Sequence, residues 1–180
     1  MKVVAIVGMA GAGKSELARL FEEHGFKKVR FGEITDEELK KRGLETSEEN
    51  ERFIRQLLRR EHGMAAYAQL NLPRIDNTLK SSNVVVDGLY SWEEYILLKE
   101  YYGEKFATVA VCTSPATRHR RLAHRTERAL TMEEADSRDK SEIENINKGG
   151  PIAMADFTIV NEASLEELAK ATERVLSALK

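Results

Sequence analysis

Short β-branched apolar runs alternate along this chain with longer stretches in which apolar residues recur every three or four positions. "KVVAIVG" (2–8) is continuously apolar, as a strand buried on both faces of a parallel sheet must be. "FKKVRF" (26–31), "NVVVDG" (83–88), "ATVAVCTS" (107–114) and "DFTIVN" (156–161) read as further strands. Leu17, Leu20, Phe21 and His24 share helical spacing until Gly25 ends the segment. Other helix starts are marked by a Ser or Thr followed three residues later by Glu: Thr35 to Glu38, Thr46 to Glu49, Ser91 to Glu94, Thr131 to Glu134 and Ser164 to Glu167. Ser114 ahead of Pro115 is one more. The alternation predicts a three-layer α/β sandwich around a five-stranded parallel sheet.

Residues 33–82 break the alternation and read as helices only. Ser47–Arg60 places Phe53, Ile54, Leu57 and Leu58 on one face, closed by Gly63. Met64–Lys80 reads as a second helix, interrupted near Pro73. No repeat, low-complexity tract or Gly/Ser linker divides the chain. The expected organisation is one domain over 1–180, with 33–82 a helical insertion and 116–148 a lid region. The insertion is where a second substrate could dock; its plainer reading is extra core helices covering the sheet.

Composition narrows the partners. Apolar residues make up 42% and charged residues 32%, as in ordinary globular proteins. A net charge of −2 and a pI near 6.2 exert no global pull toward nucleic acid or an anionic membrane, so neither partner is expected. Phosphate affinity must come from a local concentration of Lys and Arg. The single cysteine, Cys112, lies in the apolar run "TVAVC" and reads as a core residue in a reducing cytosol. Val3 to Val7 is too short for a secretory or membrane-spanning segment. A cytoplasmic monomer or homodimer is the expectation.

Gly8-x-x-x-x-Gly13-Lys14-Ser15, within "GMAGAGKS", matches the phosphate-binding P-loop, with a strand before it and a helix after. The residue types explain the chemistry. Gly8, Met9, Ala10, Gly11, Ala12 and Gly13 form a turn whose glycines let N–H groups face phosphate oxygens. The helix behind adds the positive end of its dipole. Lys14 reaches the β- and γ-phosphates of a nucleoside triphosphate, and the Ser15 hydroxyl suits Mg²⁺. Asp87 ends the third strand and is placed to hold the same metal, although Asp-Gly is also a strong turn pair.

"RHRRLAHRTER" (118–128) contains five arginines and two histidines in eleven residues. Arg118, Arg121, Arg125 and Arg128 follow helical spacing and share one predicted face. Like charges stacked so closely repel, unless something polyanionic lies against them. A solvated helix paired with Glu127, Glu133 and Glu134 is the alternative. Other nucleotide-hydrolysing classes fit poorly: "DGLY" lacks the glycine of D-x-x-G, and Asn147-Lys148 is followed by two glycines rather than the acid that reads guanine. A kinase acting on a small acceptor suits the length, the insertion and the arginine-rich helix together.

"GMAGAGKS", "VVVDGLYS", the arginine-rich helix, "SRDKSE" (137–142) and "IAMADFTIVNEASLEEL" (152–168) resemble nucleotide kinases of the adenylate kinase and dephospho-CoA kinase superfamily. "KKRGLE" (40–45) and "EHGMAA" (61–66) resemble an uncharacterised, largely archaeal adenylate-kinase-related group. The resemblance implies ATP in the loop, a lid carrying Arg118 to Arg128 with Arg138 as a further lid arginine, and an acceptor site built by the insertion. Asn161 would lie near the adenine. Dephospho-CoA kinases carry an Asp soon after the second strand, where this chain offers Glu33 and Asp36; these compete with Asp87 to orient the acceptor. The expectation is an ATP- and Mg²⁺-dependent kinase acting on a nucleotide-type acceptor, AMP or dephospho-CoA. Two alternatives stand beside it: a nucleotide-binding sensor with little turnover, and an RNA-binding regulator for which the arginines matter and Lys14 does not.

Overall fold

The computed structural model describes residues 1–126 and 129–179, with the backbone but not the side chain of Glu48. In chain order the elements are β1 (Val3–Val7), α1 (Lys14–Glu23), β2 (Lys27–Arg30), α2 (Glu33–Lys41), α3 (Glu48–His62), α4 (Ala66–Leu79), β3 (Val84–Asp87), α5 (Trp92–Tyr102), β4 (Phe106–Cys112), α6 (Pro115–Ala123), α7 (Met132–Glu144), α8 (Gly149–Ala153), β5 (Phe157–Val160) and α9 (Leu165–Ala178). The strands form one parallel sheet in the order β2-β3-β1-β4-β5.

β1 is central, and its unbroken apolar run follows from that position. Val3, Ala5 and Val7 join a core completed by α2 to α5, while Val4 and Ile6 join a second core on the opposite face with Leu17, Phe21, Leu168 and Val175. Alternate residues thus serve opposite layers, with no polar face left to present to water. Cys112 is partly buried and packs against the first core. β1 leads out to the β2 edge, and β3 leads back across β1 to β4. Their carboxyl ends therefore face the kind of crevice in which open α/β sheets bind ligands. Pairing sets Ile6 opposite Asp87, which brings that carboxylate level with the last turn of β1 before the glycines.

Several local expectations need correction, each for a physical reason. Thr35 does not start α2: the helix begins at Glu33 behind Gly32, and the buried Thr35 hydroxyl is 2.6 Å from the Tyr67 hydroxyl. α3 is capped by Ser47 rather than Thr46, its side chain accepting from the Asn50 N–H at 3.2 Å. Phe53 is 48% exposed, while Ile54, Leu57 and Leu58 fill the core. α4 continues through Pro73. Burying the stripe Tyr67, Asn71 and Ile75 against the sheet outweighs the roughly 3 kcal/mol that an interior proline costs.

Candidate active site

The chain between β1 and α1 is held so closely that its glycines have no room for a side chain. A Cβ on Gly11, at φ 78°, would lie 2.7 Å from the Arg118 carbonyl oxygen. At Gly13, φ 103°, it would collide with the Asn161 side-chain amide. Both positions lie in the left-handed region that favours glycine. The carbonyls of the loop are pulled outward one after another. Lys14 Nζ donates to Gly8 O at 2.9 Å and Met9 O at 3.0 Å. Arg118 Nη1 donates to Ala10 O at 3.1 Å. Ala12 O accepts from Asn161 Nδ2 at 2.8 Å and Thr113 Oγ1 at 3.1 Å.

With its oxygens occupied in this way, the loop turns its N–H groups to the hollow. Among the described residues no backbone oxygen accepts from Gly11 or Gly13, and the first N–H groups of α1 have no intrahelical partner. This is an anion cradle. Ser15 stands at the start of α1 and Asp87 at the end of β3, beside the loop in register. A hydroxyl and a carboxylate are the hard oxygen donors that Mg²⁺ takes alongside phosphate and water, so the residues present fit that ion.

Cations crowd this hollow. Burial, and then the charge of Lys148, push the Lys14 ammonium down to about 7. Lys148 is itself 1% exposed, with Nζ 2.6 Å from Glu142 Oε2. Its ammonium also lies 5.0 Å from the centre of the Tyr90 ring. Glu142 Oε1 accepts from Arg138 Nε at 3.2 Å. Burial would raise the Glu142 carboxyl, but Lys148, Arg138 and Lys14 together hold it below the ordinary value. Burial pushes the Tyr90 hydroxyl up to about 12, assisted by Asp87 and Glu142.

The arginines do not form one helical face. α6 ends at Ala123, with the His124 ring Nδ1 2.8 Å from Arg120 O, and the chain folds back so that Leu130 N donates to Leu122 O. Arg118 points inward. Its guanidinium grips Asp139 of α7 at 2.8 and 2.7 Å while reaching Thr113 O and Ala10 O, and the His119 ring joins Asp139 at 2.9 Å. Arg118 therefore couples lid to loop, with four of its five N–H donors engaged. Arg121 keeps one buried N–H without a partner and lines a cleft of about 450 Å³ with Gly13, Glu16, Asn161, Ala163, Ser164 and Leu165. Arg125 lies beyond the helix, its charge disfavoured by burial and by neighbouring Arg138. Arg128 falls outside the described residues.

Glu33 and Asp36 sit in exposed ion pairs, Glu33 with Arg74 at 3.5 Å and Asp36 with Arg30 at 2.6 Å. A different polar group is buried just beyond the end of β3. Glu94 closes a capping box at the start of α5, accepting from Tyr90 N at 2.8 Å through Oε2. Its other oxygen is buried without a partner, and burial pushes the carboxyl up to about 7. Arg59 of α3 stands near it, 5.5 Å over the Tyr67 ring with Nε unpartnered. Lys148, Glu142, Asp139, Glu94 and Arg59, drawn together here by their contacts, are not among the site residues that the sequence predicts. The i, i+4 spacing of Arg138 and Glu142 was the one available signal.

Comparison with known proteins adds family and fold. A family model described as an AAA domain matches residues 4–147. A UPF0200 protein of Thermococcus kodakarensis is 40% identical over 169 residues, spanning 92% of this chain and 91% of its own. Among solved structures, shikimate kinase from Bacteroides thetaiotaomicron superposes with a TM-score of 0.64 at 15% identity, over 99% of this chain and 98% of the other. Dephospho-CoA kinase from Campylobacter jejuni gives a TM-score of 0.57 at 15% identity, over 99% and 97%. Likeness at such identities speaks for the fold, which is that of P-loop kinases. Among the described residues no helix is long and apolar enough to cross a membrane.

Two outcomes follow. Arg118→Met leaves Asp139 buried beside a single histidine and should cost about 3–5 kcal/mol in urea denaturation; adding Asp139→Asn should restore part of the loss. Unloaded Lys14 titrates near 7, and polyphosphate favours its charged form. Calorimetry at pH 8 in buffers of different ionisation enthalpy should therefore show uptake approaching about one proton per nucleotide bound. Lys14→Arg, whose guanidinium is always charged, should abolish that uptake.

Proposed function

The chain belongs to the UPF0200 family and to the family of AAA-domain proteins, and from that premise we propose that it is an ATP-dependent kinase acting on a nucleotide-type acceptor. The observation that carries the reading is the loop itself, whose oxygens are tied outward and whose lysine rests on two of them. On binding, Lys14 exchanges the carbonyls of Gly8 and Met9 for β- and γ-phosphate oxygens. The loop amides take the bridging region, and Arg121 faces the cleft in which the base and ribose lie. Ser15 and Asp87 would hold Mg²⁺, which supplies charge neutralisation between the phosphates.

The helices α2 to α4 form the acceptor side. In the transfer, the acceptor oxygen bonds to the γ-phosphorus as the bond to the bridging β–γ oxygen breaks, and ADP leaves. Positioning and charge carry the rate. A phosphate acceptor is largely deprotonated near neutrality and needs orientation rather than a base. The ion-paired Glu33 and Asp36 suit that case; a hydroxyl acceptor such as dephospho-CoA would pass its proton to Asp87 or Glu94. Those exposed pairs are worth little and open easily, so they do not bar either acid from the site. They do favour a second reading, a nucleotide sensor with little turnover, in which no acid is committed to an acceptor.

Incubating the protein with MgATP and a panel of nucleoside monophosphates, dephospho-CoA, shikimate and gluconate separates the readings. The kinase reading expects ADP release stimulated by one nucleotide-type acceptor and reduced about 10²–10³-fold by Lys14→Ala. Tight MgATP binding with no stimulation by any acceptor would favour the sensor.

A further inference from the structure

A buried lysine is expensive to keep, and Lys148 is held where the fold alone gives no reason for it. Its ammonium is withdrawn from water, bonded to Glu142 at 2.6 Å and seated 5.0 Å over the Tyr90 ring. An apolar pair of similar volume would stabilise such a position at least as well. Its backbone N–H is fixed as well, donating to Glu142 O at 3.1 Å. Three cations, Lys14, Arg138 and Lys148, act on the single Glu142 carboxylate. Glu142 is thus the anion that these cations share while the loop is free.

We propose that Lys148 is a second phosphoryl-binding lysine, stored on Glu142 while the loop is free and transferred to the terminal phosphoryl group when MgATP enters. This rests on the loop holding a nucleoside triphosphate. A terminal phosphoryl group carries more charge than a carboxylate and offers three acceptor oxygens, so the exchange favours the nucleotide. A lysine suits the role: its charge is compact and its four-carbon stem can swing without moving the backbone. Its seat on Tyr90, three residues beyond Asp87, ties it to the strand end that carries the metal-side carboxylate. It therefore meets the γ-phosphoryl group and leaves the β-phosphate to the loop.

The test compares the affinities of the magnesium complexes of ADP and of a non-hydrolysable β,γ-imido ATP analogue. Lys148→Met should lose about tenfold or more in triphosphate affinity while diphosphate affinity stays within about twofold. Glu142→Gln releases the lysine and should raise the triphosphate preference several-fold. A purely structural ion pair would weaken both nucleotides alike in both variants. An unchanged triphosphate-to-diphosphate ratio in Lys148→Met, or a fall in that ratio in Glu142→Gln, overturns the proposal. If Lys148→Met does not fold, the Lys148→Met/Glu142→Gln double variant, which buries no lone charge, gives the same ratio. Wild-type protein that binds neither nucleotide overturns the loop reading and this one together; binding with an unchanged ratio overturns only this one.

Discussion

The structure depends on how the oxygens of one short loop are disposed of. A peptide chain presents donors and acceptors in equal number, so a segment can offer mainly N–H groups only if its carbonyls are engaged elsewhere. Between β1 and α1 that engagement comes from side chains distant in sequence. Arg118 holds Ala10, Asn161 and Thr113 hold Ala12, and Lys14 turns back upon Gly8 and Met9. The glycines are needed because these holders approach so closely. β1, buried on both faces at the centre of the sheet, supplies the rigid base from which the loop is hung.

The same contacts explain how the surrounding helices join the site. Arg118 bonds to the loop and to Asp139 at once, so α7 and the loop are two ends of one buried ion pair. α7 also carries Arg138 and Glu142, and Glu142 holds Lys148 from the start of α8. The loop, Arg118, α7 and Lys148 are thereby joined by one run of contacts. Positive charge is concentrated locally in a chain whose overall charge is −2.

The fold was legible because its signals are local. Continuous valine runs, glycine at helix ends and Ser or Thr caps are decided within a few residues, and Ser91, Ser114, Thr131 and Ser164 cap as expected. Where two capping candidates adjoined, at Thr46 and Ser47, spacing alone chose the wrong one. Pro73 misled because tertiary burial outweighed a local cost. At the site, the loop was readable since its turn is written in consecutive residues. The roles of Arg118, Glu142 and Lys148 were not, because each depends on a partner brought in by packing. An arginine in a basic run looks alike whether it faces solvent, substrate or a buried aspartate 21 residues away.

Amide chemical shifts during a titration with MgATP test the central claim most directly, and a chain of 20.4 kDa suits the method. The largest shifts should fall on the N–H groups of Gly11, Gly13, Lys14 and Ser15, with smaller ones at Lys148 and Glu142. A titration in which those four amides hold still while the protein binds nucleotide elsewhere, or does not bind it, would contradict the account.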